Sequence, residues 1–110
     1  MDSNYEVVLY GASGYTGKLI AWKLAERRIP FIAAGRSQQR LEDEMAKVPE
    51  LARHDYQCVA VTHDVASLTD LFRGKKVVIN VTGPFMQLGE PVVQACLAAG
   101  CHYFDTTGEA

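Results

Sequence analysis

The chain has 110 residues, of which 48% are hydrophobic and 22% charged, and its formal net charge is −2. These values describe one ordinary globular domain and argue against a general nucleic-acid or membrane-surface binder, which would need a basic face. No apolar run approaches the ~20 residues that cross a bilayer, and the first residues lack the basic and apolar parts of a signal peptide. We therefore expect a cytoplasmic protein.

Strand and helix patterns alternate along the chain, with no linker or internal repeat between them. The strand patterns cover about residues 5–10, 30–34, 56–61, 76–81 and 102–105. Helices are predicted over about 15–28, after Ser37 as far as Pro49, from Ser67 to Gly74, and from Pro91 to Gly100. Ser37 and Ser67 are the predicted N-caps of their helices, and Pro91 fits the first turn of the last one.

Apolar residues at helical spacing predict the face that each helix packs against the sheet. The predicted inward residues are Ile20, Ala21, Leu24 and Ala25, then Leu41, Met45 and Val48, then Leu68, Leu71 and Phe72, and finally Val92, Val93, Cys96 and Leu97. Strands joined through helices by short connections form a parallel sheet covered on both faces. We expect a single Rossmann-type α/β domain over residues 1–110, a doubly wound parallel sheet with strand order 3-2-1-4-5.

Three glycines follow the first strand and lead into the first helix. Gly11, Gly14 and Gly17 are spaced three apart, whereas the dinucleotide fingerprint is G-x-G-x-x-G and has a glycine where this chain has Ala12. A strand–turn–helix junction offers unpaired backbone N–H groups and the positive end of the helix dipole to an anion. A P-loop fits less well, because Leu19 stands where the magnesium-binding Ser or Thr belongs. We interpret residues 11–17 as a dinucleotide pyrophosphate loop.

The end of the second strand bears on the choice of cofactor. An NAD site usually has Asp or Glu at this point, but the chain has Arg36 and Ser37 after Gly35. A guanidinium can pair with a 2′-phosphate and a serine hydroxyl can donate to it, and Arg40 lies one turn further along. The alternative is an ordinary solvated arginine beside a helix cap. The position favours NADP over NAD.

The ends of the third and fourth strands carry weaker signals. Asp64 could accept a hydrogen bond from the adenine amino group or cap a turn. Thr82, Gly83 and Pro84 would let the backbone pass close to the pyrophosphate and the nicotinamide ribose, although Gly-Pro also makes a simple strand-ending turn. Asn80 is unusual in a buried strand, and we expect it to make a structural hydrogen bond.

The remaining chemistry-bearing side chains indicate structure rather than function. An odd number of cysteines fits reduced thiols, and we expect Cys58, Cys96 and Cys101 to pack as small hydrophobes. The three histidines show no ligand spacing with them, so no metal site is predicted.

Four motifs in order give the chain a resemblance to a known family. They are residues 10–17 (YGASGYTG), 34–37 (AGRS), 78–85 (VINVTGPF) and 103–109 (YFDTTGE). Together they resemble the saccharopine dehydrogenase-like family, and in particular bacterial saccharopine dehydrogenase-like oxidoreductases and trans-acting enoyl reductases. The resemblance covers nearly the whole chain, and the ordered set is more specific than any one glycine loop.

The resemblance implies an NADP(H)-binding Rossmann domain, with residues 13–16 at the pyrophosphate and Arg36 with Ser37 at the adenosine phosphate. It also implies that Gly83 and Pro84 lie beside the nicotinamide and that residues 105–109 border the substrate cleft. The residues assigned to the cofactor are Gly11, Ser13, Gly14, Tyr15, Thr16, Gly17, Arg36, Ser37, Asp64, Thr82, Gly83 and Pro84.

The activity that the resemblance implies is hydride transfer between NADP(H) and a small-molecule or acyl substrate, at a C=N, C=O or activated C=C bond. Family members continue past the Asp-x-x-Gly-Glu motif into a substrate domain, so we expect this chain to be the N-terminal part of a longer enzyme and to be inactive alone. No catalytic residue is assigned, since Tyr15 lacks the Tyr-x-x-x-Lys companion. Two alternative functions are a non-catalytic NADP(H) sensor and a scaffold domain. A homo-oligomer is also consistent with the sequence.

Overall fold

The structure, a computed structural model, describes residues 5–82 and 85–105, and for residues 85–89 and 105 it describes the backbone alone. Five parallel strands form one sheet in the order β3-β2-β1-β4-β5. The strands are β1 (Val7–Tyr10), β2 (Phe31–Gly35), β3 (Tyr56–Ala60), β4 (Val77–Asn80) and β5 (His102–Asp105). The helices are α1 (Tyr15–Glu26), α2 (Gln38–Met45), α3 (Val65–Phe72) and α4 (Phe85–Ala99), with a short 3-10 helix at Pro49–Arg53. The predicted fold and strand order are confirmed.

Alternate strand residues feed two hydrophobic cores, one on each face of the sheet. One core packs β1, β2 and β4 against α3 and α4, through Val8, Tyr10, Ile32, Ala34, Leu68, Phe72, Val78, Val92, Ala95 and Cys96. The other packs the opposite face against α1, α2 and the 3-10 helix, through Leu9, Ala12, Ala21, Leu24, Phe31, Ala33, Leu41, Met45, Val48 and Leu51. Each fully buried large side chain contributes roughly 1.5–3 kcal/mol. The two cores hold the strand ends in place.

The inward faces follow the predicted periodicity in α1, α2 and α3, but α4 departs from it. Leu97 is 75% exposed, whereas Ala95 is fully buried beside Val92 and Cys96. Leu97 follows Cys96 directly, and one step along a helix turns the side chain by about 100°, away from the packed face. The prediction that Leu97 packs inward is wrong.

Two predicted helix starts are also wrong. Asp64, not Ser67, is the N-cap of α3, and its carboxylate accepts the Ser67 N–H at 2.7 Å. Both residue types cap helices well, and here the extended backbone stands at Asp64. The last helix begins at Phe85, so Pro91 lies inside it and not in its first turn. Proline has no N–H for the carbonyl four residues earlier, and the apolar face packed on the sheet offsets that loss.

The three cysteines are free thiols that lie in or beside the hydrophobic cores. Cys96 is fully buried, as predicted, while Cys58 and Cys101 are only partly so. The Cys96 thiol donates to the Cys101 carbonyl at 3.3 Å, and burial raises its pKa to about 12. A thiol that stays protonated at neutral pH is a packing group and not a nucleophile.

Candidate cofactor site

A crevice opens at the carboxyl ends of β1, β2 and β4, the edge of a parallel sheet at which ligands bind. Its volume is about 440 Å³. The lining residues are Tyr10, Gly11, Ser13, Gly14, Gly35, Arg36, Ser37, Arg40, His63, Val81 and Thr82. Segments that are distant in the sequence, the glycine loop and the Arg36–Ser37 turn, therefore face one space.

Of the predicted site residues, Gly11, Ser13, Gly14, Arg36, Ser37 and Thr82 line this crevice. Among the described residues, the predicted site residues that do not line it are Tyr15, Thr16, Gly17 and Asp64. Tyr15 is 76% exposed and Gly17 is buried beneath the loop, while Thr16 lies exposed in the first turn of α1. Asp64 accepts the Ser67 N–H with one carboxylate oxygen and the Ser67 hydroxyl with the other. The predicted site residues Gly83 and Pro84, and residues 106–109 of the predicted substrate border, lie outside the described residues.

The three loop glycines differ in what a side chain at each position would contact. Gly11 has φ +89°, and a Cβ there would lie 2.8 Å from the Thr82 Cγ2. A Cβ on Gly17 would lie 2.5 Å from the Ala12 carbonyl oxygen, so this glycine lets α1 pack tightly on the loop. Gly14 has φ −80° and ψ 175°, and the nearest atom to its Cβ position is 3.7 Å away. The packing of the described residues therefore explains Gly11 and Gly17 but leaves Gly14 unexplained.

The first turn of α1 has backbone N–H groups that meet no acceptor among the described residues. The Lys18 N–H donates to the Gly14 carbonyl at 3.0 Å and begins the helical ladder. No acceptor within residues 5–82 and 85–105 meets the N–H groups of Tyr15 and Thr16. This turn carries no acidic side chain, and Gly14 supplies no side-chain cap. Free donors at the positive end of a helix dipole suit an anion.

The turn after β2 places side-chain donors on the other side of the crevice. Ser37 caps α2, and its Oγ accepts the Arg40 N–H at 3.2 Å, which leaves the hydroxyl hydrogen free to donate. The guanidinium groups of Arg36 and Arg40 form no salt bridge with any residue that the structure describes. Two uncompensated cations beside a free hydroxyl favour a second anionic group.

A pair formed by the buried Tyr10 and the half-buried His63 at the crevice was not found by sequence reasoning. The Tyr10 hydroxyl lies 2.5 Å from the His63 Nδ1, and the two rings stack with centroids 5.6 Å apart. Burial raises the pKa of Tyr10, and the positive charge of Arg36 opposes that shift. The position of His63 shortly after the end of β3 at Ala60 was a usable signal. Its pairing with a residue 53 positions away could not be seen in the sequence.

Asn80 makes the structural hydrogen bonds that the sequence predicted. Its Oδ1 accepts from the Thr82 N–H at 3.0 Å and from the Thr82 hydroxyl at 2.7 Å, and its Nδ2 donates to the Tyr103 hydroxyl. Both ends of the buried amide are thereby satisfied. The result fixes Thr82, whose methyl group lies against Gly11, at the crevice wall.

Lys18 and Glu44 join the two helices that start at the crevice. Lys18 of α1 lies 2.6 Å from Glu44 of α2, and Lys47 lies 3.0 Å from the same carboxylate. Hydrogen bonds from these two lysines lower the Glu44 pKa to about 2. The pair holds the start of α1, and with it the glycine loop, in register with α2.

The chain matches a known family and several known relatives. The family model described as the saccharopine dehydrogenase NADP binding domain matches residues 7–109. A trans-acting enoyl reductase from Mycobacterium ulcerans (strain Agy99) is 38% identical over 96% of this chain and 26% of its own length. A saccharopine dehydrogenase-like oxidoreductase from Homo sapiens is 30% identical over 96% of this chain and 28% of its own length. The chain thus spans about a quarter of the length of the relatives it matches.

Solved structures agree on the fold. A nucleoside-diphosphate-sugar epimerase from Pseudomonas aeruginosa superposes with a TM-score of 0.69 at 20% identity, over 90% of this chain and 32% of that one. An NADPH-dependent quinone oxidoreductase from Escherichia coli, solved with NADPH, gives 0.63 at 19% identity, over 88% of this chain and 35% of that one. Within the part of the chain that the structure describes, no helix is long and apolar enough to cross a membrane.

Proposed function

The chain belongs to the family of saccharopine dehydrogenase NADP-binding domains, and from that premise we propose that its crevice holds the diphosphate and the adenosine phosphate of NADP(H). The proposal assigns the diphosphate to the loop of residues 11–17. It assigns the adenosine phosphate to Arg36 and Ser37, with Asp64 near the adenine and residues 82–84 near the nicotinamide ribose.

The absence of a side chain at Gly14 is the single observation that carries the proposal. Its backbone conformation is one that any residue adopts, and a Cβ would meet only ordinary contact among the described residues, so their packing does not demand glycine there. The same residue borders the crevice and precedes the N–H groups of Tyr15 and Thr16, which meet no acceptor in the part of the chain that the structure describes. A diphosphate that must touch the backbone explains why the position is kept empty.

Positive charge on the Arg36 side of the crevice supports NADP over NAD. The guanidinium of Arg36 and the hydroxyl of Ser37 would pair with a 2′-phosphate through charge-assisted hydrogen bonds. NAD, which has a ribose hydroxyl there instead, is better matched by a carboxylate, and neither Gly35 nor Ser37 supplies one. Arg40 adds a second positive charge at the same side of the crevice.

For the whole protein we propose an oxidoreductase that acts on a small-molecule or acyl substrate. The nicotinamide supplies the hydride chemistry when it is bound. This chain's share is to bind the phosphates, orient the cofactor along the sheet edge and keep Thr82 fixed through Asn80. The relatives' names, an enoyl reductase and a saccharopine dehydrogenase-like oxidoreductase, support a reduction at an activated C=C, C=N or C=O bond.

Gly14→Ala tests the diphosphate assignment by calorimetric titration with NADP. We expect affinity to fall at least tenfold, about 1.4 kcal/mol, because the added methyl occupies the diphosphate position. The melting temperature is the control. Removing a glycine stabilises by about 0.4–1 kcal/mol, a poorer N-cap costs a similar amount, and the two should nearly cancel.

An unchanged NADP affinity in Gly14→Ala would refute the diphosphate assignment. Absence of any NADP binding to the wild-type protein would refute the cofactor site itself and leave a scaffold role. A full-length protein that binds NADPH but does not oxidise it with any carbonyl, imine or enoyl substrate tested would favour a sensor.

A further inference from the structure

The outer edge of β3 is occupied by the side chain of Gln38. β3 ends the sheet on one side, so half of its backbone groups face away from β2. The Val61 N–H points inward and donates to the Gly35 carbonyl at 2.8 Å. Because successive residues of a strand alternate, Ala60 presents its N–H to the open edge.

The Gln38 amide bonds this edge at two points. Its Nε2 donates to the Cys58 carbonyl at 3.0 Å, and its Oε1 accepts the Ala60 N–H at 3.0 Å. These are the two bonds that a residue of an added parallel strand would make. A side chain of α2 thus replaces one residue of a missing neighbour and ties the helix to the strand.

The tie lies next to the groups that would recognise the adenosine phosphate. Gln38 is the first residue of α2 and directly follows Arg36 and Ser37. Arg36 and residues 60–63, at the end of β3 and just after it, line a depression of about 330 Å³ that shares Arg36 and His63 with the crevice. The separation between Arg36 and this strand end therefore depends on how far the start of α2 lies from β3, and the two Gln38 bonds fix that distance.

We propose that Gln38 is a positioning residue for cofactor choice: by bonding the edge of β3, it holds Arg36 and Ser37 where they can meet the 2′-phosphate. The inference rests on the proposed function and adds to it a residue that would not itself touch the cofactor. Gln38 is exposed, so water can replace its hydrogen bonds when it is removed, and the fold should survive.

The chain offers a matched control in the next residue. Gln39 donates to Asp43 at 2.9 Å, and Gln38 makes the same kind of bond to Glu42 at 2.9 Å, one residue earlier. Gln39 has no bond to the strand. Gln38→Met and Gln39→Met therefore remove the same bond within the helix at near-constant side-chain length, and only the first removes the tie.

Calorimetric titration of both variants with NADP and with NAD tests the inference. In Gln38→Met we expect NADP affinity to fall about tenfold while NAD affinity changes by less than about twofold, because the loss is confined to the phosphate contacts. In Gln39→Met both affinities stay within about twofold. Amide hydrogen exchange provides a second measurement: the Ala60 N–H should be protected in the wild type and in Gln39→Met, and exposed in Gln38→Met.

Equal losses of NADP and NAD affinity in Gln38→Met would mean that the tie only supports the fold or blocks the sheet edge, and would overturn the inference. Unchanged NADP preference, or an unprotected Ala60 N–H in the wild type, would overturn it as well. These results leave the proposed function standing. Wild-type protein that binds neither cofactor would overturn both, which separates the two failures.

Discussion

The ends of β1 and β2 build the two sides of the crevice by opposite means. After β1 the chain offers backbone N–H groups, and the side chains that would hide them are missing at Gly11, Gly14 and Gly17. After β2 it offers side chains, the exposed Arg36 and the free hydroxyl of Ser37. The first side is built into the packing of α1 against the sheet, and the second stands on the surface.

This difference separates stability from recognition. A Cβ on Gly17 would meet backbone atoms of Gly11 and Ala12, and a Cβ on Gly11 would meet Thr82 and Val81. At these two glycines fold and binding should fail together, whereas Gly14 has room for a Cβ. The side chain of Arg36 is exposed to solvent, so a substitution there should alter only the choice of cofactor. Lys18 and Glu44 connect the two sides, since each belongs to a helix that begins at one of them.

Gly17→Ala should produce the largest effect. The new Cβ would lie 2.5 Å from the Ala12 carbonyl oxygen, and the neighbouring atoms at 2.6 Å also belong to the backbone. We expect a loss of about 2–3 kcal/mol, and a fall in melting temperature of roughly 10 °C or more. Gly14→Ala is the matched control, because the same substitution three residues earlier should leave the melting temperature nearly unchanged. A normal melting temperature in Gly17→Ala would remove the packing reason for that glycine.

Arg36→Asp should come next and act on recognition alone. We expect NADP binding to weaken by about 2 kcal/mol, roughly thirtyfold, because a charge-assisted contact becomes a repulsive one. The melting temperature should not change, since Arg36 forms no salt bridge with the described residues. Titrations with NADP and NAD check this.

Arg53→Asp makes the same change of net charge at an exposed residue that does not line the crevice, and it should leave both affinities unchanged. Wild-type protein that binds NADP and NAD equally well would show that Arg36 does not select the cofactor.

Acid should weaken the Lys18–Glu44 pair that connects the two sides of the crevice. This effect on stability should be the smallest of those predicted. The folded-state pKa of Glu44 is lowered to about 2, below the value near 4.3 expected of an unfolded chain. Its contribution to stability is therefore present above about pH 4.3 and is lost as the pH falls toward 2. Urea unfolding of the wild type and of Glu44→Gln between pH 6 and pH 2 checks this. The difference between the two should shrink on acidification, and a constant difference would contradict it.

Much of the architecture could be predicted because it is written in local patterns. The apolar run ending at Tyr10, the glycines after it and the regular alternation of strands and helices predicted a parallel sheet covered on both faces. The strand order was that expected of a Rossmann-type fold. The same patterns located the Arg36–Ser37 turn, because the carboxyl ends of parallel strands share one edge of a sheet. Asn80 was identified from its residue type alone, as a buried amide that needs partners.

Features that depend on distant partners could not be predicted. In the sequence Tyr10 is an ordinary strand residue, and only the fold brings His63 to its hydroxyl. Gln38 is likewise an ordinary surface helix residue, and only the fold places β3 beside it. The start of the last helix was missed because proline is common in a first turn, whereas packing on the sheet decides whether a helix can extend past it. Local propensity ranks the alternatives, and tertiary contacts choose among them.

The most direct test of the account is a crystal structure of the protein with NADPH. We expect the diphosphate over Gly14, within hydrogen-bond distance of the backbone N–H groups of Tyr15 and Thr16, and the 2′-phosphate against Arg36 and Ser37. A diphosphate bound away from this loop, or a 2′-phosphate turned away from Arg36, would contradict it.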